Sequence, residues 1–367
     1  MLKKTEIMRV VDLHKRLVEI PSLSREEAPI ADFIESYILD ITDGSRGLVV
    51  TREGDNVCIQ LGAGSDILLL NTHLDVVPPS TDHPWDPFTA VESEGLIYGR
   101  GSVDAKASVA AMLTALLTLF SDEYEPTNGR IILALTVCEE LGGTSNGLEQ
   151  ILPLLPEPSA AVVGERTMMH PCVAQKGLLI LKMVARGKTA HAARAHLGTN
   201  AIEISARDIS KVSAIQFERI HPELGATTLT ATMVQGGSAR NIVPDECTVF
   251  LDIRSTPSYT HDELITIIQG AVESDILVHS DRLISVDTSV TEPIVQAALR
   301  AYSGSAPFGS PTLSDWIFLK GTPTIKMGPG DSNMSHTANE HVAISQLELG
   351  VTVYRETIKA YFEPQLH

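Results

Sequence analysis

"LLLNTHLDVV", residues 68–77, begins as a buried strand and ends on a histidine and a carboxylate two residues apart. The strand period of two points His73 and Asp75 to the same side of an extended chain. Two such groups are costly to bury without partners, so partners are expected elsewhere in the sequence. Other apolar runs supply them. The glycine-rich turn in "GRGSVDAKASVAAMLTALLTLF" (99–120) carries Asp104 ahead of an alanine-rich helix expected to begin near Lys106. "RIILALTVCEE" (130–140) runs out into Glu139 and Glu140, and "AAVVGE" (160–165) into Glu165.

These runs do not alternate, and helices separate them, which predicts a parallel sheet covered on both faces. In "PSLSREEAPIADFIESYIL" (21–39), Ser24 is expected as an N-cap with Glu27 completing a capping box. The middle of the chain reads differently. "GLLILKMVARGKTA" (177–190) alternates, a helix is expected at "NAIEISARDISKVSAI" (200–215), and strands at "TTLTATMVQGG" (227–237) and "ECTVFLDIRST" (246–256) precede another helix. That order is the pattern of a small α+β domain with an antiparallel sheet. The expected organisation is a larger α/β domain of residues 1–172 and 283–367, with residues 173–282 inserted.

The carboxyl ends of strands are where sites are built in open α/β sheets. Here they gather one imidazole, His73, and the carboxylates of Asp75, Asp104, Glu139, Glu140 and Glu165. So many acids at one rim require positive charge among them. Imidazole with carboxylate, and no cysteine, favours zinc or a similar first-row ion, and the number of ligands suggests two ions. Singly, each signal is ordinary: a Glu-Glu pair is commonly a solvated loop, and a His-x-Asp commonly a satisfied core histidine. The glycine-rich turn is no phosphate loop, because it lacks the G-x-x-x-x-G-K-[ST] pattern and its acid would repel an anion. Together, at matching strand ends, they favour a metal centre.

Composition narrows the classes. The 367 residues are enough for two domains, and a formal net charge of −18 argues against nucleic acid or an anionic membrane surface as partner. No run is long and apolar enough for a membrane span, and the N-terminal stretch lacks the features of a signal peptide. Cys58, Cys138, Cys172 and Cys247 form no C-x-x-C pair and read as reduced, buried thiols. A cytoplasmic protein is expected.

"HLDVVP", "GRGSVDAKAS", the Glu pair after an apolar strand, "GER" and "SHTANEHV" (335–342) resemble the signature regions of the M20 metallopeptidases. The likeness spans nearly the whole chain. It implies a zinc-peptidase-like α/β catalytic domain with a mixed, mostly parallel sheet, and an inserted α+β lid and dimerisation domain. It further implies two zinc ions per subunit, replaceable by cobalt or manganese, held by His73, Asp104, Glu140, Glu165 and His336. Asp104 would bridge the ions, Asp75 would orient His73, and Glu139, beside Glu140 on an extended strand but facing away, would be the general base. In "GKTAHAARAHLGTNAI" (187–202), His191 would reach a partner subunit's site in a homodimer. Asn241 and Arg254 would bind the substrate carboxylate.

The implied reaction is hydrolysis of the amide of a small N-acyl amino acid. By resemblance, "PTLSDWIFLKGTPTIKMGPGDSNMSHTANEHV" (311–342) is most similar to acetylornithine deacetylases. Alternatives are deacylases of acetylcitrulline, succinylornithine, acetyl-lysine or succinyl-diaminopimelate, a dipeptidase or carboxypeptidase, or a non-catalytic binding relative. Three positions depart from the family pattern. Arg166 stands where proline is usual, within expected reach of substrate; Cys138 stands where an acid is common; and the proline after "HAA" is missing.

Overall fold

The computed structural model describes residues 7–42, 47–141 and 145–363, which form two compact units. The first comprises residues 1–173, 288–308 and 314–367. Its sheet runs Leu48–Glu53, Asn56–Gly62, Gly129–Thr136, Asp66–His73, Ala160–Val163, Thr324–Lys326 in spatial order. The last four of these are mutually parallel, while the Leu48–Glu53 and Asn56–Gly62 hairpin adds an antiparallel edge. The parallel strands are buried almost throughout, which accounts for their unbroken apolar sequences.

Register sets up the site. His73 lies beside Thr136, and Asn71 beside Val163, so three parallel strands finish at nearly one level. The helix Lys106–Ser121 is buried nearly all round and packs on Val10–Val18, Ile344–Phe362 and the strand Asp66–His73. Gly164 permits this closeness: a Cβ there would lie 2.8 Å from Met112 and 2.9 Å from the Thr72 Cβ. The expected capping box at Ser24 and Glu27 does not form. The helix spans Ala28–Thr42, while the Ser24 hydroxyl donates to Asp75 at 2.7 Å and Glu27 accepts the Cys138 N–H at 2.9 Å. Long-range partners outcompete the local cap.

The second unit comprises residues 174–287 and 309–313. Its antiparallel sheet runs Thr228–Gly236, Glu246–Ser255, Gly177–Arg186, Asp275–Leu283. The helices Ala201–Ser213 and His261–Ala271 pack on it around Leu181, Met183, Val249, Leu251 and Leu264. The strand Asp275–Leu283 has no counterpart in the sequence-based reading. Its residues are nearly all exposed or half-buried, so it carries no apolar stripe. Here a capping box does form, between Thr260 and Glu263. All four cysteines are buried and none is in a disulfide. No helix among the described residues is long and apolar enough to cross a membrane.

Candidate metal centre and active site

His73 closes its strand with a ring only 1% exposed. Its Nδ1 faces the Asp75 carbonyl at 2.9 Å, with the Asp75 carboxylate further away at 3.3 Å. The carbonyl can only accept, so Nδ1 carries a proton, and Nε2, 3.3 Å from Asp104 Oδ1, is the nitrogen a metal would take in place of its proton. Burial alone would lower the His73 pKa, but Asp104, Asp75 and Glu139 hold it well above the usual value. Asp75 lies just beyond the strand end, where the chain runs on to a bridge between Val76 and Leu23.

The Glu pair also leaves the strand. Gly129–Thr136 ends before it, and Cys138 sits at φ 59°, in the left-handed region. Glu139 and Glu140 therefore occupy a turn, not the extended segment expected, and both carboxylates come within reach of His73. The Asp75 carboxylate fixes that turn by accepting both main-chain N–H groups, Glu139 at 3.1 Å and Glu140 at 3.1 Å. Burial drives the Glu139 carboxyl well above the carboxylate range; His73 opposes this, while Glu165, Asp315 and Glu140 add to it.

Asp104 is held from behind. Glu340, 1% exposed, accepts the N–H groups of Val103 and Asp104 at 3.1 Å each and pairs with Arg100. Opposite Asp104, His336 adopts φ 61° and places Nε2 3.2 Å from Asp104 Oδ2 and 3.0 Å from Glu140 Oε1. Those two carboxylates raise the His336 pKa to about 10. Ser335 donates its hydroxyl to Asp104.

Among the described residues, donor atoms converge in three overlapping groups: His73 with Asp104 and Glu165, Asp104 with Glu140 and His336, and His73 with Glu139 and Glu140. Within each, one atom per residue lies within 4.8 Å of the others, and none contains a cysteine. Nitrogen and carboxylate donors sharing Asp104 between two groups fit a pair of first-row divalent ions.

Sequence reasoning passed over several neighbours. Asp315 is buried, bonded to Asn146 at 2.6 Å and Thr136 at 3.4 Å, and burial pushes its pKa up to about 7. Glu340, Arg100 and Ser24 support the ligands from outside. Arg166, expected within reach of substrate, pairs with Asp104 and Glu165. The "GER" departure was the signal for it.

In the second unit, His191 is exposed and its Nδ1 accepts the Ala193 N–H at 3.1 Å. Its strand pairs with Ile242, and the Asn241 carbonyl accepts from Ala192 at 2.9 Å, so His191 and Asn241 are neighbours. Arg254 is engaged by Asp252 on its own strand at 2.9 and 3.3 Å.

The fold and this cluster define a metal-dependent hydrolase of the α/β type. The chain belongs to peptidase family M20/M25/M40, whose pattern matches residues 69–360. Members of this family hydrolyse amide bonds. A putative succinyl-diaminopimelate desuccinylase of Mycobacterium tuberculosis is 28% identical, covering 94% of this chain and 96% of that protein. A peptidase M20 domain-containing protein of Schizosaccharomyces pombe is 30% identical over 95% of this chain and 84% of its own. The aminopeptidase PepT of Bacillus cereus superposes with a TM-score of 0.80 at 22% identity, over 97% of this chain and 98% of its own, which establishes the fold.

Proposed function

We propose that the protein removes the acyl group from an N-acylated amino acid, using two zinc-class ions. The ligands would be His73, Asp104 and Glu165 for one ion and Asp104, Glu140 and His336 for the other. Bound ions supply Lewis acidity towards the amide carbonyl and acidify water. The chain does the rest. Glu139 accepts the proton of the attacking water and passes it to the departing amine nitrogen. Asp75 and Glu340 hold the two turns that carry the acids in place through main-chain N–H groups. His191 would donate to the developing oxyanion in a partner subunit, with Asn241 and Arg254 receiving the substrate carboxylate.

The observation that carries this reading is the convergence of donors about Asp104 with the unabsorbed acid Glu139 beside them. Two substrates head the list for different reasons. The segment 311–342 resembles acetylornithine deacetylases, favouring N-acetyl-L-ornithine. The relatives named as succinyl-diaminopimelate desuccinylases favour a succinylated diamino acid. Aspergillus relatives named as probable carboxypeptidases add dipeptides to the panel. The test is amine release from acetyl- and succinyl-amino acids and dipeptides by zinc-loaded protein, with and without chelator. Chelator-sensitive release from one class supports the reading; no release from any sinks it.

A further inference from the structure

The two ion positions are not equivalent. Around Asp104, one carboxylate oxygen faces His73 and the other faces His336. The guanidinium of Arg166 lies on the His73 side, its Nη1 in contact with both Asp104 Oδ1 and Glu165 Oε2. Those are the same two carboxylates that, with His73, make the first donor group. A single nitrogen touching both stands where an ion shared by them would stand. The side chain is only 13% exposed, and guanidinium stays protonated in proteins, so its charge is fixed. On the His336 side the neighbour of Asp104 is the neutral Ser335 hydroxyl.

We propose that Arg166 acts as an internal cation competing for the position of His73, Asp104 and Glu165, so that the position of Asp104, Glu140 and His336 fills first and more tightly. The inference rests on the two-ion reading above and adds an order of filling to it. An ion entering the His73 position must displace Arg166 from both carboxylates. It meets repulsion from a charge a few ångströms away, in surroundings that screen poorly. The position of Asp104, Glu140 and His336 shares only Asp104 with the Arg166 contacts, so the repulsion there is smaller. Arg166 is then a selective gate on the first position.

The test is zinc binding by metal-stripped full-length protein, followed by calorimetry or equilibrium dialysis. The wild type should take up one ion per chain tightly and a second more weakly, by roughly tenfold or more. Arg166→Gln should bring the second ion close to the affinity of the first, whereas Arg166→Lys, which keeps the charge, should stay near wild type. His336→Ala should abolish the tight ion, and His73→Ala should leave it. Thermal melts check folding. Should the Gln variant not fold, the wild-type isotherm with the two histidine variants still decides. Two wild-type ions of equal affinity, or a tight ion lost in His73→Ala and kept in His336→Ala, would overturn the gate while leaving the two-ion reading intact. No zinc bound by any form would overturn both.

Discussion

Asp75 Oδ1 accepts the main-chain N–H of Glu139 at 3.1 Å, and the other oxygen of the same carboxylate accepts Glu140 at 3.1 Å and the Ser24 hydroxyl at 2.7 Å. One buried acid thus sets the geometry of the base, of a candidate ligand and of the His73 ring above it. Burial would raise its pKa, but the His73 ring, through hydrogen bond and charge, and the Ser24 and Glu140 donors hold it below the usual value and favour the ionised form.

Asp75→Asn should therefore do more than loosen His73. An amide nitrogen cannot accept, so one N–H of the Glu139–Glu140 turn would face another donor. Outer partners of metal ligands typically contribute 10–100-fold to affinity, and a loss of about that size in zinc binding is expected. Competition with a chromophoric chelator measures it. Unchanged affinity would show that the turn keeps its shape without Asp75.

Acid sensitivity should trace in part to His14. Burial pushes its pKa from the ordinary 6.5 down to about 4, against a hydrogen bond to the Ser102 carbonyl at 2.7 Å. Between those values the unfolded chain binds a proton that the folded chain refuses. Stability is therefore lost as pH falls from 6.5 through 4, by about 3 kcal/mol, and is unaffected above. His14→Gln keeps an N–H donor and removes the titration. Urea unfolding at pH 7 and near pH 4.5 should show a shallower fall for the variant, and parallel falls would remove His14 from the account.

A homodimer formed through the second unit is the proposed assembly. The edge strand Thr228–Gly236 carries no charged residue and exposes Met233 and Val234 at 52% and 62%. Natural edge strands are usually blunted by charge, and a two-fold axis would let this one pair with its copy. Val234→Lys should convert dimers to monomers in sedimentation. Mixing Glu139→Gln with His191→Ala should then restore part of the activity, because one site of the mixed dimer carries neither defect. Verified subunit exchange without recovery would confine His191 to its own chain.

Much of this was legible in the sequence. Unbroken apolar runs gave the parallel strands, and polar residues at or near their ends gave the ligand candidates except His336, which came only from the family resemblance. What was not legible depended on partners far along the chain. Nothing local says that Ser24 abandons its helix for Asp75, or that Cys138 turns left-handed and takes the Glu pair out of the strand. The strand Asp275–Leu283 is recruited by pairing with Gly177–Arg186 despite its polar sequence. Arg166 announced itself only as a departure, and its partners Asp104 and Glu165 required the fold.

The most direct test of the central claim is zinc content and kcat of Glu139→Gln on whichever N-acyl amino acid the wild type hydrolyses. Main-chain bonds to Asp75 remain available in this variant, so the ions should stay bound and the substrate should still bind. Turnover should fall by ~10²–10⁴-fold, the usual contribution of a general base. Full zinc content with near-normal turnover would contradict the assignment of Glu139 as the group that moves the proton.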